Sequence, residues 1–159
     1  MIFVTLGTQD KQFTRLIKNI DDEIKKGNIK EKVIVQAGIT KYDTKDMEMF
    51  DLLPKEDFDK YIKECDLLIT HGGVGSILTG LKNNKKVIAA PRLFKYNEHM
   101  NDHQKQIIER FSHDGYILAY NEEDKLSDIL KKVPKFKPKK YISNTDNMVK
   151  LISDYIDKN

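Results

Sequence analysis

The sequence predicts an α/β protein whose mainly parallel sheet is covered by helices on both faces. Short apolar runs rich in β-branched and aromatic residues alternate with longer amphipathic stretches, as strands alternate with helices in such proteins. The length of 159 residues fits one domain, since domains typically hold ~100–200 residues. Ligands of such sheets bind beyond the carboxyl ends of the strands, so residues that directly follow a strand are the first candidates for function.

The predicted elements follow one another without an internal repeat or a low-complexity linker, and residues 1–159 are therefore predicted to form a single domain. The predicted strands are 2–6, 32–37, 47–52, 67–70, 86–90 and 116–120. Apolar residues spaced by three or four predict helices around 13–24, 58–62 and 107–111, with further helices starting at Ser76 and Asp102. The segment 142–159 is predicted to hold a final amphipathic helix.

Composition excludes several classes of protein. The chain has 28 Lys and Arg against 25 Asp and Glu, and a net charge of +3 is too small to imply nucleic-acid binding. The single cysteine, Cys65, excludes an internal disulfide framework and fits a reducing compartment. No run approaches the ~20 apolar residues that span a bilayer, and the first ten residues lack the basic region of a signal peptide. We therefore expect an intracellular protein.

The strongest motif is a glycine-rich loop that follows the predicted strand 67–70. It consists of His71, Gly72, Gly73 and Gly75, and Ser76 is predicted to open the next helix. Glycines allow a sharp turn and a close approach of the backbone to a ligand, and a helix start offers unpaired N–H groups with a partial positive charge. Together these features favour a phosphate or pyrophosphate site. A tight turn without a ligand remains the alternative.

The glycine loop does not match the common nucleotide motifs. No Gly-Lys-Ser/Thr follows, so it is not the phosphate loop of ATPases, and Leu78 occupies the position of the third glycine of a dinucleotide fingerprint. The first predicted strand also ends in a Gly-Thr pair, Gly7 and Thr8, which could add contacts to the same anion. Capping of the following helix by Thr8 or Asp10 explains that pair equally well.

A second polar segment follows the predicted strand 86–90. It runs from Pro91 to Gln104 and crowds carboxylates, amides and imidazoles together, which are the groups that bind sugar hydroxyls. The predicted helix start at 102–104 could point these groups into the crevice, although Asp102 could simply cap the helix. His99 and His103 are four residues apart, but no third ligand is apparent and no metal site is expected.

On the glycine loop and the second polar segment together, the sequence resembles the C-terminal, donor-binding half of the GT-B glycosyltransferases of the MurG and Alg13 kind. It is more closely similar to the small bacterial PssE and EpsF-type subunits of polysaccharide assembly. The resemblance rests on 5–8, 71–76 and 91–104 and runs nearly end to end. It implies a Rossmann-like GT-B half-domain that binds a UDP-sugar without a metal or other cofactor. The UDP-sugar-binding residues it implies are Thr8, His71, Gly72, Gly73, Gly75, Ser76, Thr79, Asn101, Asp102, His103 and Gln104.

The resemblance also implies separate roles for these residues. The diphosphate would lie on Thr8 and the glycine loop, the transferred sugar near 102–104, and the uracil near 53–56. One position departs from the family pattern: Thr79 stands where MurG and Alg13 place a glutamate that holds the ribose hydroxyls. A hydroxyl makes one such contact but not a charged, bidentate one, which is roughly twice as strong per bond.

The activity implied by the resemblance is inverting transfer of a hexose from a UDP-sugar to a lipid-linked acceptor in exopolysaccharide or capsule biosynthesis. Galactose, glucuronate and N-acetylglucosamine are the hexoses left open. The acceptor half would come from a membrane-anchored subunit resembling Alg14 or PssD, so the chain is expected to be active only with this partner, peripheral at the inner face of the cell membrane. The catalytic base is not identified, and Glu98 and His99 are the local candidates.

Two further interpretations stay open at this point. The chain could instead be a non-catalytic regulatory subunit that stabilises its membrane-anchored partner.

The segment 131–140 carries six lysines and no acid, which indicates either a solvated linker or a segment attracted to an anionic membrane. The helix predicted within 142–159 is expected to dock on the partner.

Overall fold

The computed structural model describes residues 1–141, which form one parallel sheet and five α-helices. The strands are β1 (Ile2–Thr5), β2 (Val33–Gln36), β3 (Glu48–Phe50), β4 (Leu67–His71), β5 (Lys86–Ala90) and β6 (Leu118–Ala119). The helices are α1 (Thr14–Lys25), α2 (Lys55–Glu64), α3 (Val74–Lys82), α4 (His103–His113) and α5 (Leu126–Lys132). Short 3₁₀ turns cover Phe94–Tyr96 and Val133–Lys135. The helix predicted within 142–159 lies outside the described residues.

The strands are arranged in the order β3-β2-β1-β4-β5-β6, and every pairing is parallel. The chain builds outward from β1 on one side and from β4 on the other, which makes the β1–β4 boundary the switch point of a doubly wound sheet. Thr5 and Thr70 are paired at the carboxyl end of this boundary, with their hydroxyl oxygens 2.9 Å apart. The loops after β1 and β4 therefore meet at the edge where such folds bind ligands.

Helices cover both faces of the sheet, as predicted. Side chains alternate along β1, so Ile2 and Val4 join one core and Phe3 joins the other. The first core receives the apolar faces of α1 and α5, and the second receives those of α2, α3 and α4. The prediction of a Rossmann-like parallel sheet is confirmed. No helix within residues 1–141 is long and apolar enough to cross a membrane.

Several element boundaries differ from the predicted ones, most clearly those of α3, β3 and β6. Helix α3 begins at Val74 rather than at Ser76, because Gly73 is extended and already accepts the first intrahelical bond from the N–H of Ile77 at 3.1 Å. Strands β3 and β6 are shorter than predicted, since only their central residues pair with a neighbouring strand. Helix α5 was not predicted, because its seven residues span too few turns for a clear apolar repeat.

Candidate functional site

A cleft of about 220 Å³ opens at the switch point, between the loops that follow β1, β4 and β5. It brings together residues of both predicted segments, which are about thirty positions apart in the sequence. Its lining residues are Gln9, Gly72, Gly73, Val74, His99, Asn101, His103, Gln104 and Ile107. Five of the predicted UDP-sugar-binding residues therefore line one cleft: Gly72, Gly73, Asn101, His103 and Gln104.

The first turn of α3 supplies donors at this cleft. Because the first intrahelical bond runs from the N–H of Ile77, the N–H groups of Val74, Gly75 and Ser76 have no partner within the helix. The helix end carries about half a positive charge. Gly75 is exposed, and a methyl group added there would meet no described atom within 4 Å. The arrangement has the donors and the open space that an anion needs.

The other glycines of the site are required by packing inside the protein. A methyl group at Gly73 would lie 2.3 Å from Cε1 of His71, and one at Gly7 would lie 2.6 Å from Nε2 of the same ring. A methyl group at Gly72 would lie 2.8 Å from Cβ of Gln104 in α4. The imidazole of His71 is thus held between two glycine backbones, and the loop packs directly against α4.

His71 is the last residue of β4 and is buried beside the cleft. Burial and the nearby positive charge of Arg92 lower the pKa of its imidazole to about 4, against a smaller opposing effect of Gln104. The ring is therefore neutral at pH 7. Its Nδ1 lies 3.3 Å from Nε2 of Gln104, and its Nε2 lies 3.4 Å from the hydroxyl oxygen of Ser76.

The residues predicted to hold the sugar occupy different environments. Gln104 is buried and its amide bonds to the protein, because Oε1 accepts the N–H groups of Gly72 and Arg92 at 3.0 and 3.1 Å. Asn101 accepts the N–H of His103 through Oδ1 at 2.9 Å. Nδ1 of His103 is buried without a hydrogen-bond partner in the described chain.

Six predicted residues lie outside this lining: His71, Gly75 and Ser76, described above, and Asp102, Thr79 and Thr8. Asp102 is exposed and neither caps α4 through its side chain nor lines the cleft; its Oδ1 accepts the N–H of Phe94 at 2.9 Å. The hydroxyl of Thr79 donates to the carbonyl of Gly75 at 2.8 Å, so its proton is used within α3. Thr8 is exposed and lines a neighbouring cleft of about 280 Å³ beside Ile39 and Leu52.

Gln9 was missed by the sequence analysis and lines both of these clefts. It directly follows the Gly7–Thr8 pair at the end of the first strand, so the rule that singled out that pair also points to Gln9. Gln9 therefore borders both clefts. A larger hollow of about 610 Å³ lies on the far side of the same loop, around Arg15 and Tyr96, and contains none of the predicted UDP-sugar-binding residues.

Glu98, one of the two candidates for the catalytic base, is buried in an ion pair. Its carboxylate oxygens accept from Nη2 and Nε of Arg15 at 3.0 and 3.1 Å, and Oε1 also accepts the N–H of Leu93 at 3.0 Å. Because both oxygens are engaged, this geometry favours a structural role. His99, the other candidate, lines the cleft, and burial and the charge of Arg92 lower the pKa of its imidazole. Its catalytic role stays a prediction.

The buried guanidinium of Arg92 joins the two loops beside the cleft. Nη1 donates to the carbonyls of Lys11 and Glu98 at 2.8 and 3.0 Å, and Nη2 donates to the carbonyl of Leu6. Burial lowers the pKa of Arg92 to about 10, so it remains charged at pH 7. Within residues 1–141, no group of three or more His, Cys, Asp or Glu is placed to hold a metal ion.

The fold is a doubly wound parallel sheet with a candidate cleft at its switch point, and comparison with known families identifies the family. The family model described as the glycosyltransferase family 28 C-terminal domain matches residues 1–157. The chain therefore belongs to this family, as the resemblance to the MurG and Alg13 kind predicted.

Among curated proteins, the chain is similar to fungal proteins named UDP-N-acetylglucosamine transferase subunit ALG13. The protein of Candida albicans is 28% identical over 110 residues, which cover 69% of this chain and 32% of the relative. That of Candida glabrata is 46% identical over 56 residues, which cover 35% of this chain and 26% of the relative. The chain thus spans about a quarter to a third of these curated relatives.

Solved structures confirm the architecture. The solution structure of ALG13 superposes with a TM-score of 0.61 at 19% identity, covering 95% of this chain and 94% of that one. MurG of Acinetobacter baumannii superposes with a TM-score of 0.54 at 13% identity, covering 95% of this chain and 49% of that one. At these identities the likeness concerns the fold, which is that of a GT-B half-domain.

Proposed function

We propose that this chain is the UDP-sugar-binding subunit of a two-component inverting glycosyltransferase. One observation carries the proposal: the start of α3, whose first N–H groups have no partner within the helix, lies at a cleft at the switch point of the sheet, beside the open position of Gly75. During transfer negative charge grows on the departing diphosphate, and fixed N–H donors aimed at it lower the barrier. Loss of one such donor in comparable sites costs ~3–4 kcal/mol.

The sugar would lie at the other end of the same cleft. His103, Gln9 and Asn101 line the cleft, and their imidazole and amide groups can bond to hydroxyl or acetamido groups. The relatives are named for UDP-N-acetylglucosamine, which makes that nucleotide sugar the first donor to test, ahead of UDP-galactose and UDP-glucuronate. The acceptor is proposed to be lipid-linked and to belong to exopolysaccharide or capsule assembly.

The rest of the active site is proposed to come from a membrane-anchored partner resembling Alg14 or PssD. The 220 Å³ cleft is smaller than the ~300–1,000 Å³ of typical ligand pockets. Exposed large apolar side chains of the described residues all lie in loops at this edge of the sheet: Ile39, Leu52, Phe94, Tyr96 and Met100. We refer to these five residues as the apolar rim. A partner that covers the rim would also complete the cleft.

The test is a transfer assay on the chain co-expressed with the candidate partner subunit, using radiolabelled forms of the three donors and a membrane extract as the source of acceptor. We expect incorporation only when both subunits are present. Titration of UDP into the isolated chain should show binding that Mg²⁺ does not affect. Absence of UDP binding both to the chain and to the complex would exclude the proposed site.

A non-catalytic regulatory subunit is the second candidate, and the state of Thr79 favours it. A threonine whose proton is already donated within α3 provides a weaker ribose contact than the glutamate of the resembled enzymes. A chain that raises the amount of the partner without binding UDP, together with transfer by the partner alone, would establish this second function instead.

A further inference from the structure

The buried side chain of Gln104 connects the ends of β4 and β5, and its orientation follows from its partners. It is only 4% exposed, and its Oε1 lies 3.0 Å from the backbone N of Gly72 and 3.1 Å from that of Arg92. A backbone N–H can only donate, so the oxygen of the amide must face these two groups. The amide nitrogen is thereby directed at His71.

This orientation determines which nitrogen of His71 carries the proton. Nε2 of Gln104 lies 3.3 Å from Nδ1 of His71, and an amide nitrogen only donates, so Nδ1 must accept without a proton of its own. A neutral imidazole then carries its proton on Nε2. Burial and the positive charge of Arg92, with a smaller effect of His99, keep the ring neutral at pH 7, and Gln104 opposes them only in part.

The protonated Nε2 is directed at α3. It lies 3.4 Å from the hydroxyl oxygen of Ser76, in the first turn of that helix. The close approach of Gly7 and Gly73 to the ring leaves the imidazole little room to turn. A hydroxyl oxygen that accepts from Nε2 points its own hydrogen elsewhere, so Ser76 becomes a donor toward the open end of α3.

We propose that Gln104 is a positioning residue which holds His71 in its Nε2-protonated tautomer and thereby orients the Ser76 hydroxyl as a donor to a bound anion. This inference rests on the proposed function, in which the anion is the diphosphate of a UDP-sugar. It assigns Gln104 a role through His71 and Ser76 instead of a contact with the sugar. The opposite tautomer would leave a lone pair of Ser76 facing a negative charge.

The tautomer is measured directly by ¹⁵N NMR of the labelled full-length chain between pH 6 and 8, without nucleotide. We expect the shifts of His71 to show a bare Nδ1 and a protonated Nε2 throughout this range. A proton on Nδ1 would overturn the proposal. A chain with the expected tautomer that binds no UDP, either alone or in complex with its partner subunit, would overturn the proposed function and leave only the tautomer of His71 supported.

The effect on binding is tested with Gln104→Glu at pH 8. Glutamate keeps an oxygen for the N–H groups of Gly72 and Arg92 but places a second oxygen at Nδ1, which draws the proton of His71 to that side. We expect UDP to bind at least tenfold more weakly, the loss of about one hydrogen bond to a charged group. Gln106→Glu adds the same charge on the exposed side of α4 and should bind UDP like the unchanged chain.

A double-mutant cycle separates the orientation of Ser76 from other effects of the new charge. Ser76→Ala alone should weaken UDP binding about tenfold, and adding Gln104→Glu to it should weaken binding little further. An equal tenfold loss from Gln104→Glu in both backgrounds would mean that Gln104 does not act through Ser76, and would overturn the proposal. Should Gln104→Glu fail to fold, the NMR measurement on the unchanged chain decides the question.

Discussion

At the scale of single residues, the glycines of the loop after β4 divide into two kinds. The sequence predicts that all of them admit a ligand, and the open position of Gly75 fits that prediction. Gly73 instead makes room for His71, and Gly7 does so from a loop 64 positions earlier in the sequence. The need for glycine beside the ring of His71 could not be predicted from the sequence, because the loops after β1 and β4 come together only in the folded sheet.

Substitution by alanine should have opposite effects on stability at the two kinds of glycine. Gly75→Ala should leave stability unchanged or raise it by up to about 0.5–1 kcal/mol, since alanine suits a helix better and its methyl group meets open space. It should nevertheless weaken UDP binding, because the methyl group projects where the diphosphate is proposed to lie. Thermal unfolding and UDP titration measure the two effects.

Gly73→Ala is the matched variant in the same loop. Its methyl group would overlap the ring of His71, so we expect a lowered unfolding temperature in addition to weaker binding. If Gly75→Ala bound UDP as well as the unchanged chain does, the assignment of the diphosphate to the start of α3 would be wrong.

At the scale of elements, the long connection between β2 and β3 is tied to α1 by one buried carboxylate. Asp21 accepts hydrogen bonds from the hydroxyls of Tyr42 and Thr44 at 2.8 and 3.0 Å and from Lys25 at 3.1 Å. Burial alone would raise the pKa of Asp21, but these bonds together lower it. An aspartate with a lowered pKa stabilises the fold above its ordinary pKa of about 3.9, and this stability is lost as the pH falls below that value.

Asp21→Asn should therefore destabilise the protein by about 1–3 kcal/mol at pH 7, and the difference from the unchanged chain should shrink as the pH falls below about 4. Urea unfolding at a series of pH values measures both effects. Asp43→Asn, which changes an exposed carboxylate in the same connection, provides the control. A difference that stays constant down to pH 3 would show that the charge of Asp21 is not what ties the connection to α1.

The strand and helix pattern allowed most elements to be predicted, but not their ends or the contacts of the site. Short apolar runs located all six strands, and the four central strands β1, β2, β4 and β5 are largely buried between the helices. The start of α3 was misplaced by two residues, since nothing local distinguishes Val74 from a loop residue once Gly73 is extended. The ion pair between Arg15 and Glu98 joins residues 83 positions apart, so no local sequence pattern could predict it.

At the scale of the whole molecule, the apolar rim and the candidate cleft share one edge of the sheet. We expect the double substitution Phe94→Ser and Met100→Ser to reduce co-purification with the co-expressed partner subunit, because both side chains are largely exposed and costly to leave in water. Neither residue lines the 220 Å³ cleft or the neighbouring cleft beside Thr8, so UDP binding to the isolated chain should persist. Glu64→Ser, at the opposite edge, is the control for a surface change.

Size-exclusion chromatography of the isolated chain distinguishes a partner from self-association. Undiminished recovery of the partner with the doubly substituted chain would place the interface elsewhere. A dimer of the unchanged chain that the double substitution converts to a monomer would assign the apolar rim to a second copy of this chain.

The guanidinium of Arg92 has a consequence for how tightly the proposed partner subunit would bind. It fastens the loop after β1 to the loop after β5 from within, while Arg15 donates to the carbonyl of Pro91 at 3.0 Å from the other side. Loops that are already rigid lose little conformational entropy on association, so most of the energy of their contacts becomes affinity. In the proposed two-component enzyme, the edge of the sheet that receives the partner would then need little reordering when the partner binds.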